Sequence, residues 1–223
     1  MRILAIETST ARGSLALLDQ ETVVHEAALP AHQGTAQSLA PAMADVLKHA
    51  EWHPHSIDLV AVTSGPGSFT GLRIAVTAAK TFAYATKAEL VAVNTLRALV
   101  EQLPGTVTDA CALMNAQRGQ LFAATYRRHP EQGWAVSTDC RVVDRETLGE
   151  LLTPETVLTG PVLARFSPSV LERQARAAPD CWIPRARTVG RLAWRAYAAG
   201  HRDDVFKLQP QYYRASYAER NEP

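Results

Sequence analysis

The sequence has 223 residues, of which 47% are hydrophobic and 20% charged. This composition is that of a soluble globular protein with a substantial core, and it excludes an intrinsically disordered chain. The length allows one domain or two small lobes. A formal net charge of +1 provides no overall attraction to nucleic acid, so any RNA contact must be local or made by a partner.

Arginines are frequent in the second half of the chain. We interpret them as surface charges interleaved with carboxylates rather than as a phosphate-binding patch.

The first residues and the cysteine usage favour the cytoplasm. Glu7 interrupts the first apolar run, which excludes the apolar segment of a secretory signal peptide. No uninterrupted apolar run approaches the roughly 18 residues that a membrane-spanning helix needs, so no membrane partner is expected. Cys111, Cys140 and Cys181 lie far apart without a Cys-x-x-Cys pair, so they predict neither a disulfide framework nor a zinc site. We expect them to be buried and reduced.

The first half of the chain alternates between strand and helix patterns. Three apolar or valine-rich runs predict a meander of three strands, and Pro41 either opens or kinks the helix that follows. In chain order the predicted elements are strands at 2–7, 14–18 and 22–29, a helix at 35–50, a strand at 58–63, a helix at 69–85, a strand at 90–93 and a helix at 95–103.

The same order returns in shortened form in the second half. The predicted elements there are strands at 109–114, 120–126 and 134–143, a helix at 145–152, a strand at 157–159 and helices at 163–177 and 189–199. A repeated order within one chain indicates duplication. Alternating strands and helices predict an α/β protein with mixed sheets. We therefore expect two similar lobes, a complete one over residues 1–104 and a reduced one over residues 105–204.

A glycine-rich loop follows the strand that ends at Thr63. The loop runs Gly-Pro-Gly-Ser-Phe-Thr-Gly from Gly65 to Gly71, with Ser68 as a good N-cap for a helix that begins at Phe69. Free backbone N–H groups at a helix N-terminus can bind an anion. The loop lacks the lysine and spacing of a P-loop and does not match Gly-x-Gly-x-x-Gly, so an anion site and a tight capped turn remain equal alternatives. Ser68 is interpreted as a cap rather than a nucleophile.

The helix predicted at 69–85 is apolar around most of its circumference, and its only charges are Arg73 and Lys80. Such a helix must be buried on more than one side. It is either a central helix within its own lobe or a surface helix that meets another chain.

The histidines do not predict a metal site. Only His49, His53 and His55 cluster, while Trp52 and Pro54 indicate that the helix is ending there. No carboxylate accompanies them at the spacing of a zinc protease, and a helix C-terminus attracts histidine through its dipole.

Several motifs together resemble the TsaB family, also called YeaZ. The longest is Gly-Pro-Gly-Ser-Phe-Thr-Gly-Leu-Arg-Ile at residues 65–74. The others are spread over nearly the whole chain, at residues 6–10, 13–17, 93–96, 115–126, 159–160 and 210–214.

The resemblance implies more than the spacing of residues does. It implies the two-lobed fold of actin, Hsp70 and hexokinase, which is a duplicated ribonuclease H-like fold. The second lobe would be shortened, and a C-terminal segment from about residue 205 to residue 223 would complete the first lobe.

The resemblance also implies a function. The chain would be a non-catalytic subunit that forms a heterodimer with the catalytic paralogue TsaD, together with the ATPase TsaE, in tRNA threonylcarbamoyladenosine (t6A) synthesis. The tRNA would be reached through the complex, and a homodimer could form without the partner. No cofactor is expected in this chain alone, but ATP or ADP could bind at the complex interface. A small ATP-dependent kinase or transferase of the same fold is the alternative.

The resemblance also assigns site residues. The family's partner surface corresponds to the helices predicted at 35–50 and 69–85. The residues expected there are Gln37, Leu39, Met43, Leu47, Arg73, Ile74, Thr77, Ala78, Thr81 and Phe82. The candidate phosphate or nucleotide loop comprises Glu7, Thr8, Gly65, Gly67, Ser68, Thr70, Gly71 and Asn115.

The acidic positions argue against catalysis by this chain. ATP-using proteins of this fold place an acidic residue near the phosphates in each lobe. Here the first lobe has Glu7, but the corresponding place in the second is Asn115, whose amide cannot accept a proton. Many TsaB relatives have aspartate at position 115 and glutamate where this chain has Gln120. Local hydrogen bonding in a turn is the favoured role of both amides, and no catalytic residue is expected.

Overall fold

The computed structural model describes residues 1–30, 33–144, 146–165 and 174–213, and the chain divides into two compact units. The first unit comprises Met1–Ala98 and Pro184–Pro210, and the second comprises Leu99–Ile183 and Gln211–Pro223.

The first unit is built on a five-stranded mixed sheet in the order β3-β2-β1-β4-β5. Its strands are β1 (Arg2–Glu7), β2 (Ser14–Asp19), β3 (Thr22–Ala28), β4 (Leu59–Gly65) and β5 (Glu89–Asn94). Strands β1, β2 and β3 form an antiparallel meander, while β4 runs parallel to β1 and β5 runs parallel to β4. The carboxyl ends of β1, β4 and β5 therefore meet at one edge of the sheet, where open α/β sheets usually place their sites.

Helices cover both faces of this sheet. Helices α1 (Thr35–His49) and α2 (Phe69–Thr86) pack on one face, α4 (Ala186–Ala198) packs on the other, and the short α3 (Thr95–Glu101) follows β5. Strands β1, β2 and β4 are almost entirely buried and mainly apolar, because helices cover both faces of the sheet; in β1, Leu4 and Ile6 face α1 and α2. Pro41 lies inside α1 rather than at its start. Across the described ranges, no helix has the length and apolar character needed to cross a membrane.

The second unit repeats this plan with fewer elements. Its sheet contains β6 (Asp109–Gln117), β7 (Gln120–His129), β8 (Gly133–Val143) and β9 (Val157–Thr159) in the order β8-β7-β6-β9. An antiparallel meander is again followed by one parallel strand, since β9 pairs with β6. The expected α/β fold, with a smaller second lobe, is confirmed.

Of two helices expected in the second lobe, one is a short turn and the other lies partly outside the described residues. The helix predicted at 145–152 is a single 3₁₀ turn, Thr147–Leu151, whose centre is Gly149. Glycine is a poor helix former, which explains why the turn does not extend. Of the helix predicted at 163–177, residues 166–173 lie outside the described residues, and the described part begins with the 3₁₀ turn Pro161–Arg165.

The boundary between the units differs from the expected one. Residues 184–204 were expected in the second lobe, but α4 packs on the first sheet. Gly190 permits this contact, because a Cβ atom there would lie 2.4 Å from Leu18 Cδ1 and 3.2 Å from Ala5 Cβ. Of the C-terminal segment expected to complete the first lobe, Val205 and Leu208 pack against its core, residues 211–213 group with the second unit, and residues 214–223 lie outside the described residues.

Candidate loop site and helical surface of the first unit

The glycine-rich loop lies against the end of β1. A Cβ atom at Gly67 would come within 2.6 Å of the Ser9 carbonyl oxygen, and one at Gly71 would come within 2.1 Å of the Thr8 carbonyl oxygen. The Ser68 amide donates to the Ser9 carbonyl at 2.7 Å, and the Thr8 hydroxyl donates to the Gly71 carbonyl at 2.8 Å. The glycines are thus required by close packing of the loop on residues 8–9.

The start of α2 is capped by its own sequence. The Ser68 hydroxyl accepts from the Gly71 amide at 3.2 Å, as the N-cap interpretation predicted. Gly65 has a φ of 127°, which only glycine adopts readily, so it supplies the turn that leaves β4. Of the two alternatives left open by the sequence, these contacts favour the tight capped turn. Thr70 is exposed on the first turn of α2.

Glu7 is completely buried at the end of β1. Its Oε1 accepts hydrogen bonds from the Ser9 amide at 2.7 Å and from the Ser9 hydroxyl. Burial raises the pKa of this carboxyl to about 7, against the lowering effect of the two bonds from Ser9. The carboxyl group therefore stabilises the turn at Thr8 and Ser9, and no part of it is exposed to a ligand in this conformation.

Asn115 lies in the second unit, exposed near the end of β6. Its Oδ1 accepts from the Gln117 amide at 2.8 Å, which is the local bond expected of an asparagine in a turn. Gln117 and Arg118 have positive φ values of 64° and 50°, so the hairpin to β7 is a tight turn that ends on Gly119. Asn115 belongs to the second unit, whereas the other seven residues of the candidate loop site belong to the first.

The predicted partner residues divide according to burial. Leu39, Met43 and Leu47 are only 2%, 8% and 5% exposed and belong to the core between α1 and the sheet. These three side chains therefore do not form an exposed partner surface, contrary to the prediction: spacing of four residues places them on one helical stripe, and that stripe holds α1 on its own sheet.

The remaining predicted partner residues lie outward or at the margin of the core. Ile74, Ala78 and Phe82 are half-buried and pack against the core cluster. Gln37, Arg73, Thr77 and Thr81 are exposed. Helix α2 is therefore a surface helix with one buried side, formed by Leu72, Ala75, Val76, Ala79 and Ala83.

The exposed side of α1 includes a row of alanines that the sequence reasoning missed. Ala36, Ala40 and Ala44 are exposed beside Gln37. Alanines outside the leucine stripe were the available signal, because a face without bulky or charged groups lets a second helix approach closely. We call the exposed residues Ala36, Gln37, Ala40, Ala44, Arg73, Thr77 and Thr81 the α1–α2 face.

Four of the described histidines lie in two stacked pairs. His25 and His49 lie with parallel rings whose centroids are 5.3 Å apart, and His53 pairs with His55 at 5.5 Å. Within the described ranges, no three His, Cys, Asp or Glu side chains form a group that could hold a metal ion. Cys111 is buried, and burial raises the pKa of its thiol to about 12.

The fold defines an α/β protein of two compact units, each built on a mixed sheet, and comparison with known proteins identifies its family. The family model described as TsaD, tRNA N6-adenosine threonylcarbamoyltransferase, matches residues 23–152, more than half of the chain. The Bacillus subtilis protein named tRNA threonylcarbamoyladenosine biosynthesis protein TsaB is 32% identical over 130 residues, which cover 57% of this chain and 56% of that protein. The Escherichia coli protein of the same name is 28% identical over 98% of this chain and 96% of its own length.

Solved structures extend the similarity to the whole fold. YeaZ from Pseudomonas aeruginosa matches with a TM-score of 0.78 and 25% identity, over 95% of this chain and 99% of that one. The chain therefore belongs to the TsaD family and, within it, to the TsaB proteins, also called YeaZ.

Proposed function

We propose that this chain is an accessory subunit in the synthesis of threonylcarbamoyladenosine on tRNA, and that it acts by pairing with the catalytic relative TsaD while the ATPase TsaE is engaged. Membership of the family supports the pathway, because the Bacillus subtilis and Escherichia coli relatives are named as biosynthesis proteins of this nucleoside. We propose a cytoplasmic location and contact with tRNA through the complex.

The state of Glu7 is the observation that carries the accessory role. A residue that holds a metal or activates a nucleophile must reach the reacting group. Glu7 instead is buried and bonded to Ser9, and the loop above it is closed by the approach of Gly67 and Gly71. Among its described residues, the first unit therefore offers no exposed acid at the point where its parallel strands end, and Asn115 in the second unit is not an acid.

Docking is proposed to use the α1–α2 face. The face consists of small and uncharged side chains apart from Arg73, whose guanidinium carbon lies 3.9 Å from the centre of the Phe69 ring. Such a surface can pack closely against two helices of a partner. ATP or ADP is proposed to bind where the subunits of the complex meet rather than to this chain alone.

Reconstitution with one component omitted at a time tests the proposal. The assay contains this chain, TsaD and TsaE from the same organism, ATP, threonylcarbamoyl-adenylate and tRNA, and it measures the modified nucleoside. We expect synthesis only with this chain present, and no ATP hydrolysis or tRNA modification by this chain alone. Turnover of ATP by the isolated chain would instead support a kinase or transferase, and full synthesis without the chain would contradict the proposed role.

A further inference from the structure

Two aromatic side chains stand in solvent at the C-terminal end of α2. Tyr84 is 67% exposed and Phe206 is 76% exposed, which makes them the two most exposed large apolar side chains of the described residues. Their rings meet edge to face with centroids 5.7 Å apart. Because most of each ring remains in water despite this contact, the pair contributes little to the stability of the fold.

Phe206 is nevertheless held in a fixed position. Its amide donates to Asp204 Oδ1 at 2.7 Å, and its carbonyl accepts from Lys80 Nζ at 3.2 Å. The same ammonium group donates to the Leu208 carbonyl at 3.0 Å, and Leu208 packs on the core of the first unit. An exposed phenyl ring on an anchored backbone is arranged for binding, because little conformational freedom remains to be lost.

The pair continues the exposed side of α2. Thr77, Thr81 and Tyr84 follow one another at spacings of four and three residues, so they lie on the same side of the helix. Seven residues of helix span about 10 Å, which is well within the width of a standard protein interface. A partner that covers Thr77 therefore reaches Tyr84 and, beside it, Phe206.

We propose that Tyr84 and Phe206 are the anchor of the interface with TsaD and insert together into an apolar pocket on that partner. The inference rests on the proposed function, since it assigns the pair to the partner that covers the α1–α2 face. Small residues such as Thr77 and Ala40 provide close approach, while interface affinity is usually concentrated in a few aromatic side chains. The partner surface thus extends from the two helices onto the turn at residues 204–207.

Affinity measurements on single variants test the inference. The dissociation constant between this chain and TsaD of the same organism is measured by calorimetry for the wild type, Phe206→Ala, Tyr84→Ala and Thr77→Glu. Val24→Ala is the matched control, because Val24 is an exposed apolar residue, 46% in solvent, on the edge strand β3. Thermal unfolding of each variant verifies the fold.

We expect Phe206→Ala and Tyr84→Ala each to weaken binding by about 30-fold or more, with unchanged unfolding temperatures, while Val24→Ala binds like the wild type. If Thr77→Glu disrupts the complex but both aromatic variants bind normally, the anchor is refuted and the proposed function stands. If the wild-type chain does not bind TsaD at all, the anchor and the proposed function are both refuted.

Discussion

Glu7 has a pKa of about 7 because it is buried, and this links the stability of the fold to pH. The folded protein holds the proton more tightly than the unfolded chain, whose glutamate titrates near 4.5. The stability gained from this group is therefore fully present below pH 4.5 and is lost as the pH rises through about 7. The shift corresponds to about 3 kcal/mol.

Glu7→Gln should remove the pH-dependent part of the stability that Glu7 contributes. Glutamine still has an oxygen that can accept the hydrogen bonds from Ser9, but it does not ionise. We expect the variant to be more stable than the wild type above neutral pH and to show a weaker pH dependence. Thermal unfolding at several pH values measures the difference between the two proteins. Parallel stability curves for wild type and variant would show that Glu7 does not titrate as described.

Gly71 illustrates a residue whose role depends on space alone. Gly71→Ala would place a Cβ atom 2.1 Å from the Thr8 carbonyl, so the loop must move and the Thr8 hydrogen bond must weaken. We expect a loss of about 1–3 kcal/mol or more in the free energy of unfolding. Chemical denaturation measures it, with Gly149→Ala as the control, since nothing lies within 4 Å of a Cβ at that position. Equal stability of the two variants would contradict the packing role of Gly71.

At the scale of elements, periodicity predicted the first unit well because its sheet is buried on both faces. The apolar runs of β1, β4 and β5 clearly indicate buried strands. The start of α2 was also predictable, because Ser68 and the glycines specify a turn and a cap. The same local signals left the choice between an anion site and a packed turn open, since contact between Gly71 and Thr8 depends on the fold.

The second half of the chain was harder to predict. The spacing of Leu148, Leu151 and Leu152 suits a helix, but Gly149 weakens it, and only one turn forms. The pattern of α4 correctly predicted a helix but could not predict which sheet it covers. That depends on the contact of Gly190 with Ala5 and Leu18, which lie more than 170 residues earlier in the sequence. The arginines in the second half of the chain were interpreted as surface charges interleaved with carboxylates. Arg195 of α4 agrees with this interpretation, since it donates hydrogen bonds to the Glu21 carboxylate.

The leucines of α1 provide a test of the corrected assignment. Leu39→Ala should lower the free energy of unfolding by about 2–5 kcal/mol, because the side chain is buried between α1 and the sheet. Gln37→Ala, two residues away and exposed, should leave stability nearly unchanged. Urea denaturation of both variants measures this contrast. An unchanged stability of the Leu39→Ala protein would contradict the core role of Leu39 and support its original assignment to the partner surface.

A charge introduced on the exposed side of α2 should prevent docking. Thr77→Glu should abolish pairing with TsaD without affecting the fold, because an unpaired charge in an interface costs several kcal/mol. Ala198→Glu, at an exposed position of α4 on the opposite face of the sheet, is the control. Size-exclusion chromatography of each variant with TsaD distinguishes them. A heterodimer that survives Thr77→Glu would mean that the interface lies elsewhere.

For the whole molecule, the sequence favoured a protein that lacks its own active site but retains a surface for another chain. Burial of the Glu7 carboxyl could not be inferred from the sequence, because the resemblance had implied an acid near the phosphates at this position. The described contacts supply the reason: the carboxyl group stabilises a turn that the loop packs against. Composition is consistent with an indirect contact with tRNA, since the net charge is only +1.

The most direct test compares Glu7→Gln and Thr77→Glu in the reconstituted synthesis of threonylcarbamoyladenosine, because one variant removes the carboxylate and the other blocks docking. We predict that Glu7→Gln supports the wild-type rate and that Thr77→Glu supports almost none. Loss of synthesis in a folded, TsaD-bound Glu7→Gln protein would contradict the accessory role, as would a fully active Thr77→Glu protein.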